Sequence, residues 1–186
     1  MYRFPGSTWL DKLLVLPLAI PTYIAAYCYV ELLGFAGPVQ AFLRLTIGPS
    51  ASNAMFPDIR SMSSAIAILS AVLYPYVYLA ARARFLQQSV SALEVARTLG
   101  RTQSGALWSV VLPLSRPAIA AGSALAMMEA MSDFGAMQYL GVETLTVAVY
   151  ATWLERGSLR GTAMLASLAV GFVLLLVLSE RIARGG

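Results

Sequence analysis

The chain has 186 residues, 59% of them apolar and 12% charged, with a mean hydropathy of +0.72, a balance that excludes an ordinary water-soluble domain and points to a bilayer. Thirteen basic and nine acidic residues leave a net charge of +4, with no histidine and one cysteine, Cys28. Those counts exclude His- or Cys-type zinc sites, Ser/His/Asp triads, Cys/His nucleophiles and an internal disulfide, and with no G-x-x-x-x-G-K-[ST] loop the chain does not bind ATP by that route.

Four segments are long and apolar enough to cross roughly 30 Å of hydrocarbon at about 1.5 Å per residue: residues 13–33, 62–81, 118–136 and 162–179. The first has a long apolar run containing Pro17 and Pro21 and no small-residue cleavage site after a short core, so it reads as a retained span rather than a signal peptide. Cys28 lies within it and reads as a small buried apolar residue. Residues 34–61 are rich in Gly, Pro, Ser and Asn and supply turns, with a short helix expected over residues 38–45. That helix would begin at Pro38, where the missing N–H does no harm. Tyr74, Tyr76, Tyr78 and Trp153 read as membrane-belt anchors more readily than as substrate contacts. Residues 139–161 contain TLTVAVYATWLER, too short to cross and expected as a helix or hairpin dipping into the outer mouth of the bundle. The shared VLPL-x-x-P of Val15 and Val111 is ascribed to chance in so biased a composition.

If the spans alternate, nine of the thirteen basic residues fall on one side. They are Arg3 and Lys12 before the first span, Arg82, Arg84, Arg97, Arg101 and Arg116 between the second and third, and Arg181 and Arg184 after the fourth. Arg44, Arg60, Arg156 and Arg160 fall on the other. The positive-inside rule then puts both termini and residues 82–116 in the cytoplasm. No contiguous basic patch on a soluble fold supports binding to nucleic acid.

Between the second and third spans, LEVARTLGRTQSGALWSVVLPLSRP interrupts the apolar sequence with three arginines, a glutamate and two glycines. Ser91 and Glu94 have capping-box spacing, and Gly100 supplies the left-handed residue that ends a two-turn helix over residues 92–99. Ser104 is expected to cap a second helix carrying Leu107, Trp108, Val110, Val111 and Leu112, which Pro113 then breaks. By itself this describes an interfacial hairpin.

The detailed spacing of Glu94, Val95, Ala96, Gly100, Val110, Leu112 and Pro113 resembles the EAA loop of bacterial ABC importer permeases. Val95 replaces the usual alanine and Val110 the usual isoleucine. Three longer stretches are similar to the ferric-iron importer permeases: LPLAIPTYIAAYCYVELLG, YPYVYLAARARF and MEAMSDFGAMQYLGVETLTVAVYATW. The resemblance implies an all-α polytopic membrane helical bundle of the MetI-like permease fold, with about four spans and short interfacial helices, lying in the bacterial inner membrane. Residues 82–116 would form the cytoplasmic loop that couples to a separate ABC ATPase through Glu94, Ala96, Gly100, Val110, Leu112 and Pro113. A periplasmic substrate-binding protein would deliver the cargo. The chain itself would carry no catalytic residue, metal site or cofactor, ATP being used by the other subunit. Such permeases usually have two homologous halves with two loops, whereas this sequence has one loop and four spans. Residues 1–186 are therefore expected to be a single permease domain, as a fragment or as a half-length permease completed by a second half or copy.

Glu129 and Asp133 are four residues apart in the third span, so one continuous helix would place them on the same side. Ionisable residues at membrane depth line a cavity or find a partner. Two readings stand: the acids edge a translocation path for a polyvalent cation such as ferric iron, or Asp133 lies in water at the outer end while Glu129 pairs with a neighbouring span. The cargo alternatives to iron are thiamine, a polyamine or an oxyanion. An alternative of another class is a channel or scaffold protein without ATPase coupling.

Overall fold

The computed structural model of the chain describes residues 6–48, 58–87 and 102–185, and every regular element among them is helical. In chain order these are α1 (Ser7–Val15), α2 (Thr22–Leu33), α3 (Pro38–Ile47), α4 (Met62–Gln87), α5 (Gln103–Ala106), α6 (Leu112–Ser132), α7 (Gly135–Leu140), α8 (Leu145–Leu154) and α9 (Leu159–Gly185). A 3-10 turn over Leu16–Ala19 follows α1, and a π turn over Leu107–Val111 joins α5 to α6. Among the described residues, four segments are long and apolar enough to cross a membrane: Thr22–Ile47, Met62–Gln87, Leu107–Ser132 and Leu159–Ser179.

The expected first span is not one helix. Pro17 sits in the 3-10 turn, and Ile20 is extended at φ −103°, ψ 122°, the conformation a proline ring imposes on the residue before it. Pro21 then opens α2, whose 12 residues reach only about 18 Å. Residues 7–33 nevertheless lie antiparallel to α4. Asp11 meets Tyr78 and Arg82 near one end of α4, and Ala26 and Val30 pack with Ala65 and Ile68 near the other. The traverse is complete but broken, because two prolines remove N–H donors from its first half. Although Thr22–Ile47 is apolar over a span's length, its backbone breaks at residues 34–37, between α2 and α3. A Cβ on Gly37 would lie 2.5 Å from the Glu31 carbonyl oxygen, so only glycine lets the chain fold back so closely on the end of α2. The side-chain amide of the buried Gln40 then donates to the Leu33 carbonyl at 2.8 Å, satisfying one of the acceptors that a helix end leaves open. Pro38 takes the first turn of α3, as expected.

The most extensive interface joins α4 to an antiparallel α6, and small residues bring the two backbones together. A second cluster gathers Ala26, Val30, Ala65, Ile68, Ala136, Met137, Leu140 and Val142 where α2, α4 and α7 meet. Beyond α7, α8 and α9 form a hairpin, and α9 returns along α6 so that Val177 borders a groove with Tyr76 and Met128. Leu168, Val170, Phe172, Leu174 and Leu175 on α9 are exposed, and so is Cys28 on α2, contrary to its expected burial, because it lies on a side of α2 that no other described element covers. In a bilayer that surface lies against lipid or another membrane helix. Two of the cations at the end of the bundle where α4 begins are held over rings, Arg44 at 4.5 Å from the Phe35 centroid and Arg60 at 5.5 Å from Tyr139.

Asp11 connects the ends of α1 and α4. Its Oδ1 accepts from the Tyr78 hydroxyl at 2.8 Å and its Oδ2 from Arg82 Nη2 at 2.7 Å. The Tyr78 hydrogen bond, followed by that from Arg82, holds the Asp11 carboxyl below the ordinary value of 3.8. A carboxyl depressed in the folded state stabilises above its unfolded pKa, and that contribution disappears as the pH falls through the folded value. Thermal unfolding in detergent should therefore lose stability on acidification below about pH 4. Asp11→Asn should flatten the Asp11 part of that loss, by a modest amount because the pair is more than one-third exposed. Identical acid profiles for parent and variant would remove the pair from the stability account.

Candidate coupling loop and translocation path

Glu94, Ala96 and Gly100 lie outside the described residues, as does the short helix expected over residues 92–99. Val110, Leu112 and Pro113 lie within them, and there the backbone departs from expectation in two ways. The cap is Thr102 rather than Ser104: the Gly105 N–H donates to Thr102 Oγ1 at 3.2 Å, and α5 begins at Gln103. Pro113 does not end the helix. The Leu112 N–H donates to the Leu107 carbonyl, five residues back, and this wider turn is followed directly by α6 with Pro113 in its first turn. Widening the turn eases the proline ring past the preceding carbonyls, and the first turn of a helix tolerates a missing N–H. The Ser115 hydroxyl, fully buried, donates to the Val111 carbonyl at 2.8 Å just beyond.

Residues 103–132 are consequently helical without a gap, from within the 82–116 stretch to the far end of the bundle. Val110, Leu112 and Pro113 are half-buried on that helix, while Leu107 and Trp108 project outward, Trp108 with 69% of its surface exposed. An aromatic and an aliphatic side chain held out on a helical turn are suited to lipid headgroups or to a partner's groove.

The acids are separated by a helix end. Glu129 is exposed in the last turns of α6, and its carbonyl accepts from the Ser132 hydroxyl at 3.0 Å. Asp133 follows the last residue of α6 in extended backbone, φ −71°, ψ 112°. Equal spacing on a single helix face therefore does not apply, because the helix stops one residue short of Asp133. Asp133 Oδ1 instead accepts from the Ala136 N–H at 2.9 Å and caps the start of α7, while its carbonyl accepts from Thr146 Oγ1 at 3.3 Å. Its other oxygen, Oδ2, is buried with no hydrogen-bond partner among the described residues. A carboxylate oxygen held this way keeps unused acceptor capacity.

Sequence reasoning did not find the Asp11, Tyr78 and Arg82 cluster. Tyr78 had been read as a belt anchor, and its partner lies 67 residues away in the chain. Tyr76 turns into the groove beside Val177, whereas Tyr74 and Trp153 are exposed, as anchors would be.

Four apolar segments of membrane-spanning length among the described residues, packed helix against helix, define a polytopic membrane component. The family pattern described as "Binding-protein-dependent transport system inner membrane component" matches residues 1–184, and the chain belongs to that family. It is similar to the Fe(3+)-transport system permease protein FbpB 2 of Haemophilus influenzae, at 26% identity over 184 residues, covering 99% of this chain and 32% of that protein. It is also similar to the sulfate transport system permease protein CysT of Salmonella typhimurium, at 32% identity over 142 residues, covering 75% of this chain and 47% of that protein. Identity to the molybdenum transport system permease protein ModB of Escherichia coli is 28% over 188 residues, covering 97% of this chain and 79% of that protein. The chain thus spans about a third of the length of the iron permease and about half that of the sulfate permease.

Proposed function

We propose that this chain is the membrane-spanning permease part of an ATP-driven importer of the bacterial inner membrane, with both termini and residues 82–116 in the cytoplasm. A separate ATPase hydrolyses ATP, a periplasmic binding protein delivers the cargo, and a second permease half or copy completes the pathway. The seven spaced positions from Glu94 to Pro113 carry this reading. The loop docks on the ATPase, and displacement there is transmitted as a lever movement because residues 103–132 form one uninterrupted helix. The membership of residues 1–184 in a binding-protein-dependent transport family supports the same conclusion. Excess arginine and lysine at the end of the bundle where α4 stops supports the orientation.

Ferric iron is the cargo we propose. The match to the iron permease extends over 99% of this chain, and carboxylates at the third span suit a polyvalent cation. Glu129 and the free oxygen of Asp133 attract it in transit, while specificity resides in the binding protein. An oxyanion is the second reading, favoured by the 32% identity to the sulfate permease. The Glu129→Gln/Asp133→Asn variant separates the two. Asparagine keeps the Oδ1 acceptor that caps α7, so the variant should insert and bind its ATPase normally. Its uptake of ferric citrate should fall severalfold relative to the parent at matched abundance. Unchanged iron uptake alongside robust molybdate or sulfate uptake would assign the acids to structure and the cargo to the oxyanions.

A further inference from the structure

A groove of about 410 Å³ lies between α1, the 3-10 turn and the last turns of α4. Its position relative to the apolar boundary is informative. On α4 the uncharged sequence ends at Ala81 and the first charge is Arg82; on the N-terminal traverse it begins at Leu13, directly after Lys12. The Arg82–Asp11 ion pair at 2.7 Å holds these two boundaries at the same level. Lys12 and Arg82 therefore line the groove where polar sequence begins, and Val15, Leu16, Ala19 and Leu79 line it on the hydrocarbon side.

Both Asp11 oxygens are engaged, one by Tyr78 and one by Arg82. With that acid set against one cation, the mouth keeps one positive charge in excess. Lys12 forms no ion pair among the described residues, and its ammonium lies 5.7 Å from the centroid of the Trp9 ring. Trp9 is itself 73% exposed, an indole at the level where membrane-anchoring tryptophans sit.

We propose that this groove binds an anionic phospholipid, with the headgroup phosphate between Lys12 and Arg82 and an acyl chain along Val15, Ala19 and Leu79. Charge complementarity selects the headgroup, and the apolar trench requires the acyl chain, so free phosphate does not suffice. The bound lipid fills the space left where the prolines break the first traverse and fastens α1 to the stem of the 82–116 loop.

The test is native mass spectrometry of the full chain in detergent, titrated with phosphatidylglycerol, phosphatidylcholine or inorganic phosphate. Phosphatidylglycerol should be retained in preference to the other two. Lys12→Gln, at an exposed position that leaves the ion pair intact, should weaken its retention about fivefold. Ala19→Trp, which fills the trench without altering any charge, should also displace it. Circular dichroism melting verifies that both variants fold, and a Leu168→Trp control on the exposed face of α9 should retain lipid as the parent does. Equal retention of phosphatidylcholine, retention of inorganic phosphate alone, or parent-like phosphatidylglycerol binding by both folded variants would overturn the proposal.

Discussion

Gly122→Val should disrupt the interface between α4 and α6 and give the largest stability loss of any single change considered. A Cβ at Gly122 would lie 2.8 Å from the Val77 Cα and 2.9 Å from the Tyr76 carbonyl oxygen. Both are backbone atoms of α4, so no rotamer change relieves the contact. The helices must separate along the interface that organises the bundle. Overpacking of this kind typically costs about 1–3 kcal/mol, and valine adds two further methyl groups to the Cβ. Thermal unfolding in detergent should show a marked drop for the valine variant and a smaller one for Gly122→Ala. Gly171 is the control: a Cβ there meets nothing within 4 Å, and Gly171→Ala should leave stability unchanged or slightly raised. A Gly122→Val protein as stable as the parent would mean that α4 and α6 do not approach each other as described.

Gly100→Val should have the opposite profile, with the bundle preserved and transport abolished. The sequence places Gly100 where a short helix ends in a left-handed residue, a conformation glycine accepts and a β-branched residue resists. The strain would fall on residues 92–99, which lie between the second and third spans and belong to neither, so the variant should reach the membrane at normal abundance. Glu94→Ala should act in the same direction but more weakly. On the sequence reading it removes one side of a capping box, at about 1 kcal/mol by analogy with lost caps, together with a charge that the proposed docking would present to the ATPase. Uptake measured at matched permease abundance distinguishes this pattern from a folding defect.

The spans were legible because an apolar run of membrane length has few alternatives; α4 starts at the expected Met62 and continues past Ala81 to Gln87, and α9 covers the expected residues 162–179 within Leu159–Gly185. Pro38 as a helix start was equally legible, since its signal is local. The departures occur where a local rule met a competing geometry. Pro113 was expected to stop a helix, but a π turn from Leu107 to Val111 accommodated it. Ser104 was the expected cap, but Thr102, two residues earlier, satisfies the first N–H groups. Glu129 and Asp133 were expected on one face, but α6 ends between them and Asp133 is drawn into capping α7. Asp11 carried no signal by itself, because its partners Tyr78 and Arg82 come within reach only once residues 7–33 fold back along α4. The expectation of a coupling loop rests on a resemblance spread over twenty positions, a pattern no single propensity encodes, and Glu94, Ala96 and Gly100 lie outside the described residues.

The claim that residues 82–116 couple this permease to an ATPase is tested most directly by affinity capture of the tagged full chain from detergent-solubilised membranes that also contain its ATPase. Parent and Gly100→Val proteins are compared at equal permease recovery, with nucleotide-dependent ATP hydrolysis read on the beads. The parent should bring down the ATPase and its activity, Glu94→Ala less of both, and Gly100→Val almost none, while all three remain folded by thermal unfolding. Equal ATPase recovery from Gly100→Val and the parent would contradict the account and leave the loop as a connector between two spans.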